Sequence, residues 1–85
     1  DFKHAIFNEA NFQGTVFGKL AYFKGTTFDL VSFEGARFEG SAVFQDVTFR
    51  KADFKHAIFN EANFQGTVFG ERDFAECQFL GNVLF

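Results

Sequence analysis

Eighty-five residues carry 17 Phe, no Pro, no Met, no Trp and one Cys, with 11 acidic and 8 basic side chains for a net charge of −3. That length allows one domain, residues 1–85; one Cys excludes an intrachain disulfide, and the interspersed charges exclude a basic or acidic tail. No apolar run nears the ~20 residues of a membrane-spanning helix and no signal peptide opens the chain, so the expected setting is cytoplasmic, with no membrane partner.

The chain opens on DFKHAIFNEANFQGTVFG at residues 1–18, and the same 18 residues return at 53–70. Phe2, Phe7, Phe12 and Phe17 set a five-residue beat that runs to the end. Of the 16 gaps between successive Phe, 13 are five residues and three are six: Phe17 to Phe23, Phe38 to Phe44, and Phe79 to Phe85. Two residues before each Phe sits a second column, Ala5, Ala10, Thr15, Ala21 and so on to Val83, small or β-branched at every position but Arg72.

A period of five suits neither a helix nor a flat strand. A chain that bends once per repeat keeps each Phe and its small neighbour pointing inward, and the small column limits the volume the interior must hold. The six-residue gaps fall after the fourth, eighth and sixteenth repeats. Four repeats per coil put every insertion at one corner, which predicts an all-β, four-sided solenoid of about four coils of 20–21 residues. Such an array gains stability coil by coil. Coils spaced like paired strands, about 4.8 Å apart, make a rod ~20 Å tall.

The segments Ala52-Asp53-Phe54-Lys55-His56, Ala57-Ile58-Phe59-Asn60-Glu61 and Ala62-Asn63-Phe64-Gln65-Gly66 resemble the pentapeptide-repeat family, whose motif is loosely A(D/N)LXX with Leu or Phe at the centre. The resemblance covers essentially the whole chain. It implies a right-handed quadrilateral parallel β-helix. It also implies a possible role, since some members mimic duplex DNA and bind DNA gyrase. Departures are Phe at every centre, the six-residue corner and Arg72.

In chain order, residues 1–18 make the first coil, and Lys19 and Leu20 accompany the first widened corner. Residues 21–38 make the second coil, with Gly25 and Gly35 in turn positions. Gly40 and Ser41 mark the second widened corner, and 42–64 continue without a linker. The repeated 18-mer is offset by 52 residues, or two and a half coils, so its two copies are expected on opposite sides of the rod. Arg72 invites two readings: a final-coil side chain that snorkels toward the open end, or a local bulge that forms part of a partner site. Cys77 shares the inward column and reads as a small buried side chain.

Chemistry is sparse. His4 and His56 lie half a turn apart and cannot share a metal. The carboxylates Glu9, Asp29, Glu34, Glu39, Glu61 and Glu76 are scattered, and no paired Cys, HExxH or phosphate-cradling Gly loop appears. No cofactor, no metal and no enzymatic activity are expected.

The outward residues before each Phe sort by side, as Asp1, Tyr22, Val43, Asn63 and Leu84 on the first and Ile6, Thr27, Thr48 and Val68 on the second. The third carries Asn11, Ser32, Asp53 and Asp73, and the fourth carries Val16, Arg37, Ile58 and Gln78. Tyr22, Val43 and Leu84 are the expected contact patch, with Arg72 as a further candidate. The chain starts one residue before a core Phe, lacks an initiator Met and finishes on Phe85. A fragment of a longer rod, or a rod that stacks end to end, is therefore expected. The expected function is a non-catalytic structural or protein-interaction solenoid that self-associates through its ends. The alternative is a DNA mimic that binds gyrase, with no direct contact to nucleic acid. A ~20 Å length of duplex presents about a dozen phosphates, which a net charge of −3 falls well short of.

Overall fold

The structure, a computed structural model, describes residues 3–85. Ten strands form and no helix does among these residues: β1 Ile6–Asn11, β2 Val16–Phe17, β3 Ala21–Tyr22, β4 Thr27–Ser32, β5 Arg37–Val43, β6 Thr48–Asp53, β7 Ile58–Asn63, β8 Val68–Asp73, β9 Gln78–Phe79 and β10 Val83–Leu84. The first sheet has the order β1-β4-β6-β8. In the second, β5 and β7 are central, with β2 and β3 on the outer edge of β5 and β9 and β10 on the outer edge of β7. Every pairing is parallel.

Register gives the coil length. Phe7 faces Phe28, Phe28 faces Phe49 and Phe49 faces Phe69, steps of 21, 21 and 20 residues. Four repeats thus make one turn of a solenoid of about four turns, as the spacing predicts.

The corners, however, are of two kinds. After Phe12, Phe23, Phe33, Phe44, Phe54, Phe64 and Phe74 the chain reverses in a four-residue turn, closed for instance by Thr15 N–H donating to Phe12 O at 3.1 Å and Ala36 N–H to Phe33 O at 3.0 Å. The third turn residue has φ near +60°, the signature of a type II turn. Gly14, Gly25, Gly35 and Gly66 fill that position in four cases; His4, Asp46, His56 and Glu76 hold the same conformation. At the intervening repeats the strand bends through the corner with no turn, so that β1, β4, β6 and β8 each span two sides.

The extra residue of each six-residue gap always enters the second sheet. Between β5 and β7 it produces a bulge: Phe38 faces Phe59, Ser41 faces Glu61, and the register shifts between them. Asn60 Nδ2 donates to Glu39 O across the shift at 3.2 Å. Gly40 is required there, since a Cβ would stand 2.7 Å from the Lys19 carbonyl oxygen of the coil below.

The interior is a stack of rings. Phe7, Phe28, Phe49 and Phe69 form one column, Phe12, Phe33, Phe54 and Phe74 a second, Phe17, Phe38, Phe59 and Phe79 a third, and Phe23, Phe44, Phe64 and Phe85 the fourth. Within columns the ring planes lie 2–11° apart with centroids 4.6–5.4 Å apart. Neighbouring columns meet edge to face, as Phe44 and Phe54 do at 5.9 Å and 90°. The small column fills the remaining space: Ala36, Val47 and Ala57 are fully buried, as is Thr26. No buried side-chain nitrogen or oxygen lacks a partner among the described residues.

The rings from Phe23 to Phe64 are 0–2 % exposed, whereas Phe85 is 71 % exposed. Truncation should follow that gradient. Phe54→Ala is expected to cost about 3–5 kcal/mol through its cavity, and Phe85→Ala less than ~1 kcal/mol. Equilibrium urea unfolding of the two variants measures the difference.

Candidate protein-interaction surfaces

Asn11, Ser32, Asp53 and Asp73 stack in register on the first sheet, each one residue before a turn Phe. Their side-chain oxygens accept the backbone N–H two residues on: Gln13 at 2.9 Å, Glu34 at 3.3 Å, Lys55 at 2.9 Å and Ala75 at 2.8 Å. Short polar side chains close such turns on themselves. The mildly acidic third side is therefore a column of turn caps.

The equivalent column on the second sheet holds Tyr22, Val43, Asn63 and Leu84. Only Asn63 caps its turn, accepting Gln65 N–H at 2.9 Å. Tyr22, Val43 and Leu84 carry no group able to do so, and turn chemistry gives no reason for them. Tyr22 and Val43 are neighbours and half-buried; Asn63 separates them from the half-exposed Leu84.

Arg72 lies on the other sheet. It faces Ala52 in a register that runs unbroken from Thr48–Val68 to Asp53–Asp73, so the expected alternative of a local bulge is overturned. Its guanidinium sits 5.7 Å from the Phe69 ring centroid, and Nη1 donates to Gly70 O at 3.3 Å. The aliphatic stem follows the inward column while the charge turns back over the aromatic end.

Leu80, an apolar residue at a widened corner, is the signal that column sorting missed. Leu80 is 67 % exposed beside Leu84 and Phe85, making an uncovered apolar edge along β9 and β10. Leu20 and Ile6 are exposed near the other end.

Two open grooves follow the bent corners. One of about 830 Å³ runs along the first sheet over Val31, Ala52 and Arg72, between Lys51, Asp53 and Glu71. One of about 370 Å³ runs along the second over Ala62 and Val83, beside Val43 and Leu84. Charges in the larger groove neutralise each other, Lys51 Nζ lying 3.7 Å from Glu71 and Lys55 Nζ 3.5 Å from Asp53. Asp53 raises the Lys55 pKa by charge and by hydrogen bond, with Glu34 adding to it. Arg50 pairs with Asp29 one coil below.

His4 and His56 occupy opposite turn corners. His4 stacks with Gly25 and His56 with Glu76, whose Oε2 is 3.1 Å from His56 Nδ1. Among the described residues no group of three or more His, Cys, Asp or Glu side chains could hold a metal ion. No helix among them is long and apolar enough to cross a membrane.

Cys77 is half-buried in the inward column, and burial pushes its thiol up to about 11. Only roughly a thousandth is thiolate at pH 8, and the thiolate is the reactive form. Iodoacetamide should therefore modify the native chain far more slowly at pH 8 than the urea-unfolded chain, with the native rate climbing as pH nears 11. Because the folded pKa is raised, stability is complete below the unfolded thiol pKa of about 8.5 and declines as pH rises toward 11. Mass spectrometry of the alkylated protein over a pH series measures the rate.

The family model described as pentapeptide repeats (nine copies) matches residues 2–48 and 44–85. No curated protein and no solved structure matches the chain. The five-residue beat, the ring columns, the coil of four repeats and this match agree, and the chain belongs to the pentapeptide-repeat family.

Proposed function

We propose that this chain is a non-catalytic protein-interaction rod that associates with further copies of itself through the ends of its solenoid. The observation that carries the reading is the burial gradient: mid-rod rings are sealed, while Phe69, Phe74 and Phe79 are half-buried and Phe85 with Leu80 and Leu84 stands open. Open aromatic surface beside an unpaired strand edge is a template for another coil. The stack needs no chemistry beyond what each coil already uses on the next. Tyr22 and Val43 are the proposed lateral contact for a different protein, because no turn requires them.

The duplex-mimic reading finds less support. Asp53 pairs with Lys55, and Asp29 and Glu71 pair with cations of neighbouring coils, which leaves little of the one-sign charge a DNA surrogate presents.

Sedimentation velocity from low to high micromolar concentration should show mass increasing with concentration, and strictly monomeric behaviour at high micromolar concentration overturns the reading. In a gyrase supercoiling assay the chain should be inert at low micromolar concentration; clear inhibition there would favour the mimic.

A further inference from the structure

The repeated 18-mer allows the geometry of that association to be inferred. IFNEAN occurs twice, as β1 in the first sheet and as β7 in the second. β7 is paired on both edges, with β5 below and β9 and β10 above. β1 has the same sequence and the same flanking turn residues, but among the described residues it is the terminal strand of its sheet and pairs with β4 alone. The lower edge of β7 is therefore a template for what the lower edge of β1 accepts.

That template is specific. Under β7 lies a strand with the six-residue corner Glu39-Gly40-Ser41, and the five-residue corner of β7 passes over it with one register shift. Ile58 N–H donates to Ala36 O at 2.9 Å, Phe44 N–H donates to Asn63 O at 2.8 Å, and Phe59 stacks on Phe38 with centroids 4.6 Å apart. At the other end of the molecule β9 and β10 flank the same kind of corner, Leu80-Gly81-Asn82, with glycine at the same place. They form the outer edge of the second sheet.

Resting on the self-association proposed above, we infer that a second copy of this chain adds its β1 to the outer edge of β9 and β10, head to tail, rotated by half a turn about the rod axis. Transposing the β7-on-β5 register sets Ile6 over Gln78, Phe7 over Phe79, Asn11 over Leu84 and Phe12 over Phe85. The exposed apolar edge of Leu84 and Phe85 is then covered. The half turn brings no ring onto the Phe69 column at that level, and the Arg72 guanidinium already lies over Phe69 there.

Stacking without the half turn is worse on two counts. It lays β1 on β8, which places Glu9 over Glu71 and Ala10 over Arg72. It also needs the position above Phe64 that Phe85 already fills. A tail-to-tail pair would oppose strands antiparallel, so it cannot reproduce the parallel register and ring stacking of β7 on β5. The head-to-tail contact is heterologous, so it continues into open chains of copies.

Ile6 and Gln78 both face outward and are exposed, and Cα atoms of parallel neighbours about 4.8 Å apart lie within disulfide reach. On a Cys77→Ser background, Ile6→Cys and Gln78→Cys are purified separately and mixed under mild oxidation. Circular dichroism confirms that each variant keeps the wild-type spectrum. The expected result is a disulfide dimer in the mixture and little in either variant alone. Gln78→Cys cross-linking with itself, or Ile6→Cys cross-linking with Val68→Cys in preference to Gln78→Cys, overturns the inference. So does no cross-link in any mixture at a concentration where sedimentation shows oligomers. A strictly monomeric sedimentation profile instead removes the association itself.

Discussion

Two strands paired in parallel lie about 4.8 Å apart, and in this chain that distance also fixes the separation of the aromatic rings. Parallel planes with centroids 4.6–5.4 Å apart make contact when each ring is slid past its neighbour, the offset arrangement that aromatic pairs prefer to a face-to-face sandwich. The backbone ladder and the ring column thus have the same repeat, and each holds the other in register. Edge-to-face contacts between columns complete the lattice, Phe28 meeting Phe33 at 5.8 Å and 82°. The alternating column of Ala, Val and Thr follows from it, because four rings per coil occupy the middle and leave room for little else.

With the rings fixed, adjustment falls to the corners. A left-handed backbone conformation at a non-glycine residue is unfavourable, yet Asp46, His56 and Glu76 all hold one. The coil above and below leaves no alternative: His56 N–H donates to Ala75 O and Asp46 N–H to Gln65 O, which pins each turn in its ladder. The surplus residue of the longer coils is confined to the second sheet, on a corner where the strand bends without turning. A tight turn with a required φ at its third position has no slack for an extra residue, whereas a bent strand can absorb one as a bulge.

Coil size and the inward residues were legible because they depend on counting. Seventeen Phe at fixed spacing admit few windings, and the position of three surplus residues selects four repeats per coil. The placement of the two 18-mers on opposite faces followed from the same arithmetic, and β1 and β7 do lie in different sheets. The two kinds of corner were not legible. Glycine marks the left-handed position at Gly14, Gly25, Gly35 and Gly66, but His4, Asp46, His56 and Glu76 hide the alternation. Nor was the role of Asp53 and Asp73, whose carboxylates look like surface charge until the turn N–H groups they bind are placed. Of the two readings of Arg72 the bulge failed and the snorkelling side chain agrees with the structure, because its long stem lets a charged residue keep the inward register and still leave the core.

A repeating rod has few places to store information, since what recurs in each coil cannot distinguish one face or partner from another. The duplicated 18-mer sharpens that limit. It presents the same outward residues on both sheets, Ile6 with Asn8 and Glu9 on one, Ile58 with Asn60 and Glu61 on the other. Side chains that distinguish one sheet from the other therefore lie in residues 19–52 and 71–85, which the duplication does not copy, while the two 18-mers differ in the strands they pair with. Tyr22 and Val43 replace a turn cap in the first of these segments, while Arg72, Leu80 and Leu84 break the repeat pattern in the second. The departures from the repeat are what make one part of the rod differ from another, and Arg72, Leu80 and Leu84 gather toward the end where Phe85 is exposed.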